Sequence, residues 1–248
     1  MAFRPLALWL LGYPGTASVE IGRAIDAARD TGHAPTLMFV LGCTTFTHIC
    51  RRDHAAAKLQ IDEALALTEE KGAVFFNAMA TAQRGCELAL TGKSAAAVAT
   101  ISAGVTGYRS TGATVWTTLP LSLLATAYAD LGKFDDAWRH LGETMKAVET
   151  ANERWYEADI NRISGEIALN SPEPDATKAQ VYFERALSLA RAQHAKSLEL
   201  RAATSMARLL RDQGKRDKAH ELLAPVYGWF TEGFDTPDLK EAKALLAS

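Results

Sequence analysis

The helical pattern of this chain is interrupted about every 40 residues, as in the step from Gly32 to Gly72 and the equal step from Gly72 to Gly112. Two interleaved series of helix-breaking positions share this period. The first series is Gly32, Gly72, Gly112, Asn152 and His194, and the second is Gly12, Arg52, Gly92, Gly132, Pro172 and Gly214. Two series of one period indicate two helices per unit. We predict an all-α, right-handed α-solenoid of about six helix pairs with a C-terminal capping helix.

The fourth unit shows the repeat most clearly. Leu121, Leu124 and Tyr128 share one helix face. The turn LGKF at 131–134 and the small Ala137 follow, which matches the spacing of tetratricopeptide repeats. The 40-residue period exceeds their usual 34 and is shared by HEAT-like repeats, but the turn and a recurring second-helix alanine favour the tetratricopeptide pattern. That alanine falls at Ala17, Ala57, Ala97, Ala137, Ala179 and Ala219.

We expect one repeat domain over 1–248. Its units are expected at about 1–33, 34–72, 73–112, 113–152, 153–194 and 195–231, with a terminal helix at 237–247 and two extra residues in the loop 171–175. Thr236, Pro237 and Asp238 form a typical helix start. The first helix begins without a capping residue, whereas repeat arrays need polar caps. We therefore expect the chain to continue a longer one, or to form a homodimer through its uncapped N-terminal face.

The composition is that of an ordinary globular chain. A net charge of −2 and a pI near 6.3 give no overall attraction to nucleic acid or anionic membranes. The basic residues of the last third are interspersed with acids, which favours solvated helix faces over a nucleic-acid patch. The apolar run Leu6–Leu11 resembles a signal peptide, but it is short, and the Gly12 that follows it belongs to the 40-residue repeat. Three cysteines without a CxxC pair suit a reducing compartment, so we expect a cytoplasmic protein that does not enter membranes.

No catalytic motif is convincing. Gly92-Lys93-Ser94 resembles the end of a phosphate-binding loop, but Glu87 stands where that loop needs its first glycine. Cys43, His48, Cys50 and His54 crowd one stretch, yet their spacing does not fit a zinc site. The sequence shows neither the pattern of a catalytic triad nor a Gly-x-Ser-x-Gly nucleophile elbow. We expect no enzymatic activity, no cofactor and no metal.

The tetratricopeptide register predicts a concave groove along the first helices of the units. The candidate lining residues are Phe39, Phe46, Met79, Ser122, Thr126, Asp130, Asp159, Arg162, Glu166, Arg201, Thr204 and Arg208. This groove is apolar at one end and charged at the other, which suits an extended or helical peptide with a charged terminus. The apolar end is equally explained by packing against an N-terminal neighbour.

Three segments resemble a known group of proteins: the tail 227–246 (YGWFTEGFDTPDLKEAKALL), 153–158 (ERWYEA) and 196–203 (KSLELRAA). They are similar to the C-terminal tetratricopeptide region of bacterial AAA-like signalling ATPases, some fused to class III nucleotide cyclases or DNA-binding modules. The resemblance implies a regulatory scaffold that binds a protein, a peptide or the upstream domains of a parent chain. The cyclase and ATPase motifs are absent, so that chemistry is not expected here. The alternative is a sensor that binds a small effector and regulates an upstream ATPase or cyclase.

Overall fold

A computed structural model describes residues 1–247. The described chain is helical throughout, with no strand, and consecutive helices pack against each other. The helices are α1 Arg4–Leu10, α2 Pro14–Asp30, α3 Ala34–Arg51, α4 His54–Glu70, α5 Val74–Leu90, α6 Ser94–Ser110, α7 Thr118–Asp130, α8 Phe134–Ala151, α9 Glu157–Asn170, α10 Ala176–Ala192, α11 Lys196–Asp212, α12 Arg216–Gly228 and α13 Pro237–Leu246. This architecture is consistent with the helical repeat expected from the sequence.

Most interruptions of the sequence pattern stand where the backbone turns left-handed after a helix. Gly132 has φ +72°, and its N–H donates to the carbonyl of Ala129, which ends α7. Three such turns lack glycine: Arg52, Asn152 and His194 have φ between +51° and +57°. Pro172 differs, because α9 instead ends at an extended residue in the longer link to α10.

Small residues let neighbouring helices approach closely. A Cβ on Gly104 of α6 would strike the backbone nitrogen of Ala82 in α5, and one on Gly85 would strike the backbone of Ile101. The six recurring alanines are all buried in the core. The repeat pattern is therefore a packing pattern, in which small side chains mark the closest helix contacts.

Two helices start later than the 40-residue period predicts. From Ala34 and Val74, the next first helices are expected near 114 and 154, but α7 starts at Thr118 and α9 at Glu157. Pro120 accounts for the first delay, because its ring would clash with the carbonyl of Trp116 in a longer helix. Trp116 instead adopts φ +63°, and its N–H donates to Glu153 at 2.7 Å.

The Glu153 carboxylate accounts for the second delay. It accepts hydrogen bonds from the Thr118 hydroxyl at 3.0 Å and from the Trp155 indole N–H at 2.8 Å, as well as from the Trp116 backbone. These bonds hold residues 153–156 against the preceding link. The two late helix starts thus share one cause, because Glu153 bonds the segment before α9 to the segment before α7.

The two ends of the array pack against each other. The Ser197 hydroxyl donates to the Trp9 carbonyl at 2.5 Å, although 188 residues separate them. Glu232 accepts bonds from the backbone and the hydroxyl of Thr16, both at 2.8 Å. Trp9 is only 2% exposed, since α1 packs against α3 and α11. One side of the N-terminal helix is therefore covered by the C-terminal part of the array, while Phe3 and Leu11 stay exposed.

Over residues 1–247, no helix has both the length and the apolar character that crossing a bilayer requires.

Candidate functional site

A polar cavity of about 220 Å³ lies where the N-terminal units meet the C-terminal ones. Its walls come from the turn after α3 and from α9, α11 and α13. The lining residues are Arg52, Arg162, Glu166, Arg201, Thr204, Ser205, Arg208, Asp238 and Glu241. Five of the groove candidates from the charged end of the array thus converge on one cavity: Arg162, Glu166, Arg201, Thr204 and Arg208.

Arg201 is the central residue of this cavity. Its Nε donates to Asp238 Oδ2 at 2.8 Å, its Nη2 donates to the carbonyl of Cys50, and its guanidinium lies 5.0 Å from the centre of the Trp9 ring. Burial acts to lower the pKa of Arg201, but Asp238 and Asp159 raise it above its usual value. A permanently charged side chain therefore joins α11 to α13, α3 and α1 at once.

Asp159 provides the buried counter-charge below Arg201. Its Oδ1 accepts from Arg162 at 2.5 Å, and its Oδ2 lies 3.6 Å from Arg201. Burial acts to raise the pKa of this carboxyl, but Arg162 and Arg201 lower it well below the usual range. Asp159, Arg162 and Arg201 therefore form a buried group of ion pairs beneath the cavity.

The outer layer is looser and more exposed. Arg208 reaches Glu241 and lies 3.4 Å from Glu166, while Arg52 lies 3.3 Å from Glu241 and 3.5 Å from Asp238. The side chains of these outer residues other than Asp238 are 28–40% exposed. The network is balanced: its guanidinium groups belong to Arg52, Arg162, Arg201 and Arg208, and its carboxylates to Asp159, Glu166, Asp238 and Glu241.

The apolar groove candidates lie elsewhere, in an aromatic cluster. Phe46 lies 5.5 Å from the Trp116 ring, which stacks on Phe3 at 5.3 Å with an interplanar angle of 3°, and Phe3 meets Phe39 edge-on at 5.6 Å. The space beside Phe46, Met79 and Trp116 measures only about 10 Å³. Trp116 of the chain itself therefore occupies the space beside Phe46 and Met79, and Phe3 lies on its outer side, 45% exposed.

The middle candidates form bonds within the fold. The Ser122 hydroxyl donates to the Leu119 carbonyl at 2.8 Å, and the Thr126 hydroxyl donates to the Ser122 carbonyl at 3.2 Å. Asp130 accepts from the Ser94 hydroxyl at 2.9 Å, which joins α7 to the start of α6. None of these three side chains lines the polar cavity.

The cysteine and histidine cluster is part of the core. Cys43, His48 and Cys50 are buried, and the described part of the chain holds no cluster of three or more side chains suited to a metal ion. Burial lowers the pKa of His48 to about 4, with Asp53 opposing this shift and Arg51 adding to it. His48 is therefore a neutral packing residue at neutral pH.

Sequence reasoning missed four lining residues: Arg52, Ser205, Asp238 and Glu241. Arg52 carried a signal, because it replaces glycine at a turn where a left-handed backbone disfavours a side chain. The position of Asp238 at the start of a helix explains this residue from the sequence alone and gives no sign of its bond to Arg201. Nothing in the sequence indicates that residues 37 to 189 positions apart meet here.

No protein-family model matches this sequence, and a search of the curated proteins finds no match. Kinship with the repeat regions of bacterial signalling ATPases therefore stays a prediction. The helical array itself, with neighbouring helices packed in chain order, rests on the structure.

Proposed function

We propose that this chain is a non-catalytic sensor domain that binds a small polar effector in the cavity around Arg201. The observation that carries the proposal is the convergence of charged side chains from both ends of the array on one cavity of about 220 Å³. Pockets for drug-sized ligands measure roughly 300–1,000 Å³. The cavity is thus suited to a metabolite and too small for a folded peptide segment.

Binding here is coupled to the closure of the array. Arg52 belongs to the N-terminal units, whereas Arg208 and Glu241 belong to the C-terminal ones, and all three line the cavity. A ligand that contacts both sides binds the closed array better than an opened one, so it shifts the population toward closure. A neighbouring ATPase or cyclase module in a larger signalling protein would respond to that change.

A protein-binding scaffold is the second candidate function. It is favoured by Phe3 and Phe39, which contact each other and yet remain 45% and 41% exposed. Aromatic residues in such positions are enriched at protein interfaces. The partner would be a protein, a peptide or an upstream domain in bacterial cytoplasmic signalling.

Thermal unfolding against a metabolite panel separates the two functions. A ligand that binds only the folded state raises the midpoint in a concentration-dependent way. We expect at least one small polar metabolite to do so, and Arg208→Gln to abolish the response. A chain that responds to no metabolite but captures a protein partner through Phe3 and Phe39 would contradict the sensor function. Nucleotide turnover that is lost on a cavity substitution would contradict the absence of catalysis.

A further inference from the structure

We propose that α13 is an internal occupant of the charged groove, and that a short acidic helix of a partner protein binds there in its place. The sequence of α13, PDLKEAKALL, carries two acidic residues at positions i and i+3, each followed by an apolar residue. These pairs are Asp238 with Leu239 and Glu241 with Ala242. The partner helix carries the same pattern. This inference goes beyond the sensor function, because it concerns a protein ligand and requires no small effector.

The acidic side of α13 pairs with arginines of the groove. Arg201 donates to Asp238 at 2.8 Å, and Arg208 donates to Glu241. Arg52, at the turn after α3, lies 3.5 Å from Asp238 and 3.3 Å from Glu241. Each carboxylate of α13 therefore meets two arginines, one from α11 and one from the N-terminal units.

Releasing α13 leaves the groove with an excess of positive charge. The ionised side chains that remain are four guanidinium groups and two carboxylates: Arg52, Arg162, Arg201, Arg208, Asp159 and Glu166. The two carboxylates of α13 balance this set. A partner helix with two carboxylates can therefore replace α13, whereas a neutral or basic helix would leave buried arginines unpaired, which is costly.

The apolar side of α13 holds it only modestly. Leu239 and Ala242 are the only buried residues among the ten of this helix, whereas twelve of the 17 residues of α11 are buried. Isolated helices shorter than about 12–15 residues are marginal in water. A competing helix with the same pattern can therefore displace α13.

Arg201 keeps its position without α13. Its Nη2 donates to the carbonyl of Cys50, its Nη1 lies 3.6 Å from Asp159, and its guanidinium lies 5.0 Å from the centre of the Trp9 ring. None of these contacts involves α13. The central cation of the groove is thus pre-organised for a carboxylate from a partner, which lowers the cost of binding.

The link from α12 to α13 keeps a displaced α13 near the groove. Glu232 of this link accepts two hydrogen bonds from Thr16, both at 2.8 Å, and Phe230 is only 5% exposed. A tethered segment competes at a high effective concentration. We therefore expect an added acidic helix to bind weakly until α13 is loosened.

Fluorescence anisotropy with a labelled synthetic peptide of residues 235–247 tests the proposal on the full chain. The peptide is titrated with the wild-type chain and with Leu239→Ala, which removes the apolar anchor of α13 and leaves the arginines in place. We expect Leu239→Ala to bind the peptide about tenfold more tightly or better, because its own α13 competes less. Equal binding by the two chains would show that α13 does not occupy the site.

Two further peptides test the charge pattern. One replaces Asp238 by Asn and Glu241 by Gln, and the other replaces the exposed Lys240 and Lys243 by Gln. The first should bind about tenfold more weakly or worse, because it loses charged hydrogen bonds. The second should bind without loss. Equal binding of all three peptides overturns the acidic partner.

Arg208→Gln and Arg139→Gln, each combined with Leu239→Ala, locate the site. Each arginine lies between two carboxylates, but Arg139 belongs to α8 and does not line the polar cavity. We expect Arg208→Gln to weaken peptide binding about tenfold or more and Arg139→Gln to leave it unchanged. Equal effects of the two substitutions would overturn the placement of the peptide.

Glu241→Gln is a second way to loosen α13 if Leu239→Ala does not fold. The Glu241 side chain is 40% exposed, so this change removes ion pairs without opening the core. It should also bind the peptide more tightly than the wild-type chain does. Folded variants that bind no peptide overturn the proposal.

Two other results would overturn the proposal while naming what replaces it. A Leu239→Ala chain that dimerises in light scattering and binds no peptide would identify α13 of a second copy as the occupant. A metabolite that raises the unfolding midpoint, with no peptide binding to any variant, would leave the sensor function standing alone.

Discussion

At the scale of single residues, the left-handed turns show where the chain accepts backbone strain. Arg52, Asn152 and His194 hold positive φ angles that glycine adopts at equivalent turns. Arg52 uses this position to reach Asp238 and Glu241 across the cavity. His194 is exposed at the end of α10 and forms no such ion pair with any residue from 1 to 247. The strain at Arg52 is thus compensated by contacts, and that at His194 is not.

We therefore expect His194→Gly to stabilise the chain. Removing Cβ from a left-handed residue relieves about 1–2 kcal/mol, part of which is offset by the greater freedom of glycine when unfolded. The net gain should be about 0.5 kcal/mol in urea unfolding. Arg52→Gly is the control, because it relieves the same strain but removes two ion pairs, so it should not stabilise. A lower unfolding midpoint for His194→Gly would contradict this account.

His48 should make stability depend on pH. Burial lowers its pKa to about 4, against about 6.5 in the unfolded chain, so the unfolded state binds more protons between these values. Stability attributable to His48 is therefore complete above pH 6.5 and is lost as the pH falls toward 4, by up to about 3 kcal/mol.

The slope of unfolding free energy against pH measures this effect. His48→Gln should flatten the slope between pH 6.5 and 4, whatever its effect on overall stability. His33→Gln is the control, since His33 is exposed at the start of α3. Equal slopes in the wild-type chain and His48→Gln would show that His48 does not titrate as described.

At the scale of elements, the closest helix contacts depend on glycine, whose side chain is a single hydrogen atom. Gly104 sits against the backbone of Ala82, whereas Gly142 in α8 has nothing within 4 Å of the position its Cβ would occupy. Both glycines lie inside helices of similar length. Substitutions at these two positions therefore distinguish the packing role of glycine from its poor helix propensity.

Gly104→Ala and Gly142→Ala should change stability in opposite directions. Alanine at 142 gains helix propensity of about 0.5–1 kcal/mol. Alanine at 104 gains the same propensity but forces α5 and α6 apart, and such overpacking costs about 1–3 kcal/mol. Thermal unfolding of the two variants provides the measurement. Stabilisation by Gly104→Ala would mean that α5 and α6 are not in close contact.

The sequence predicts those features that depend on neighbours in the chain. The period places the turns at Gly72 and Gly132, and the recurring alanines mark buried contacts, because helix periodicity and turn chemistry are local. The late starts of α7 and α9 depend on bonds from Glu153 to another unit, although Pro120 carried part of that signal. The cavity depends on the meeting of distant ends, which no local pattern encodes.

At the scale of the whole molecule, closure changes how the array holds together. In open repeat proteins each unit contacts only its neighbours, so stability is close to a sum of local terms. Here α1 packs on α11, and Arg201 joins both to α3 and α13. Each end of the chain therefore contributes to the stability of the other.

Arg201→Gln should weaken both ends together. The substitution leaves the buried carboxylates of Asp159 and Asp238 without their shared cation, which costs about 3–5 kcal/mol. We expect hydrogen exchange to accelerate in α1 and α13 and to change little in α8. Arg185→Gln is the control, since it removes an ion pair to Glu157 whose arginine is 60% exposed. Loss of protection confined to α11 would contradict a closed array.

The hydrogen bond from Ser197 to Trp9 also sets an order of events during synthesis. The ribosome makes Trp9 first and its partner 188 residues later, a delay of roughly 10–40 s at about 5–20 residues per second. Throughout that time Trp9 lacks its contacts with Ser197 and Arg201 of α11. The nascent chain is thus an open array at first, and the contact between its first helix and α11 forms only after α11 has been made.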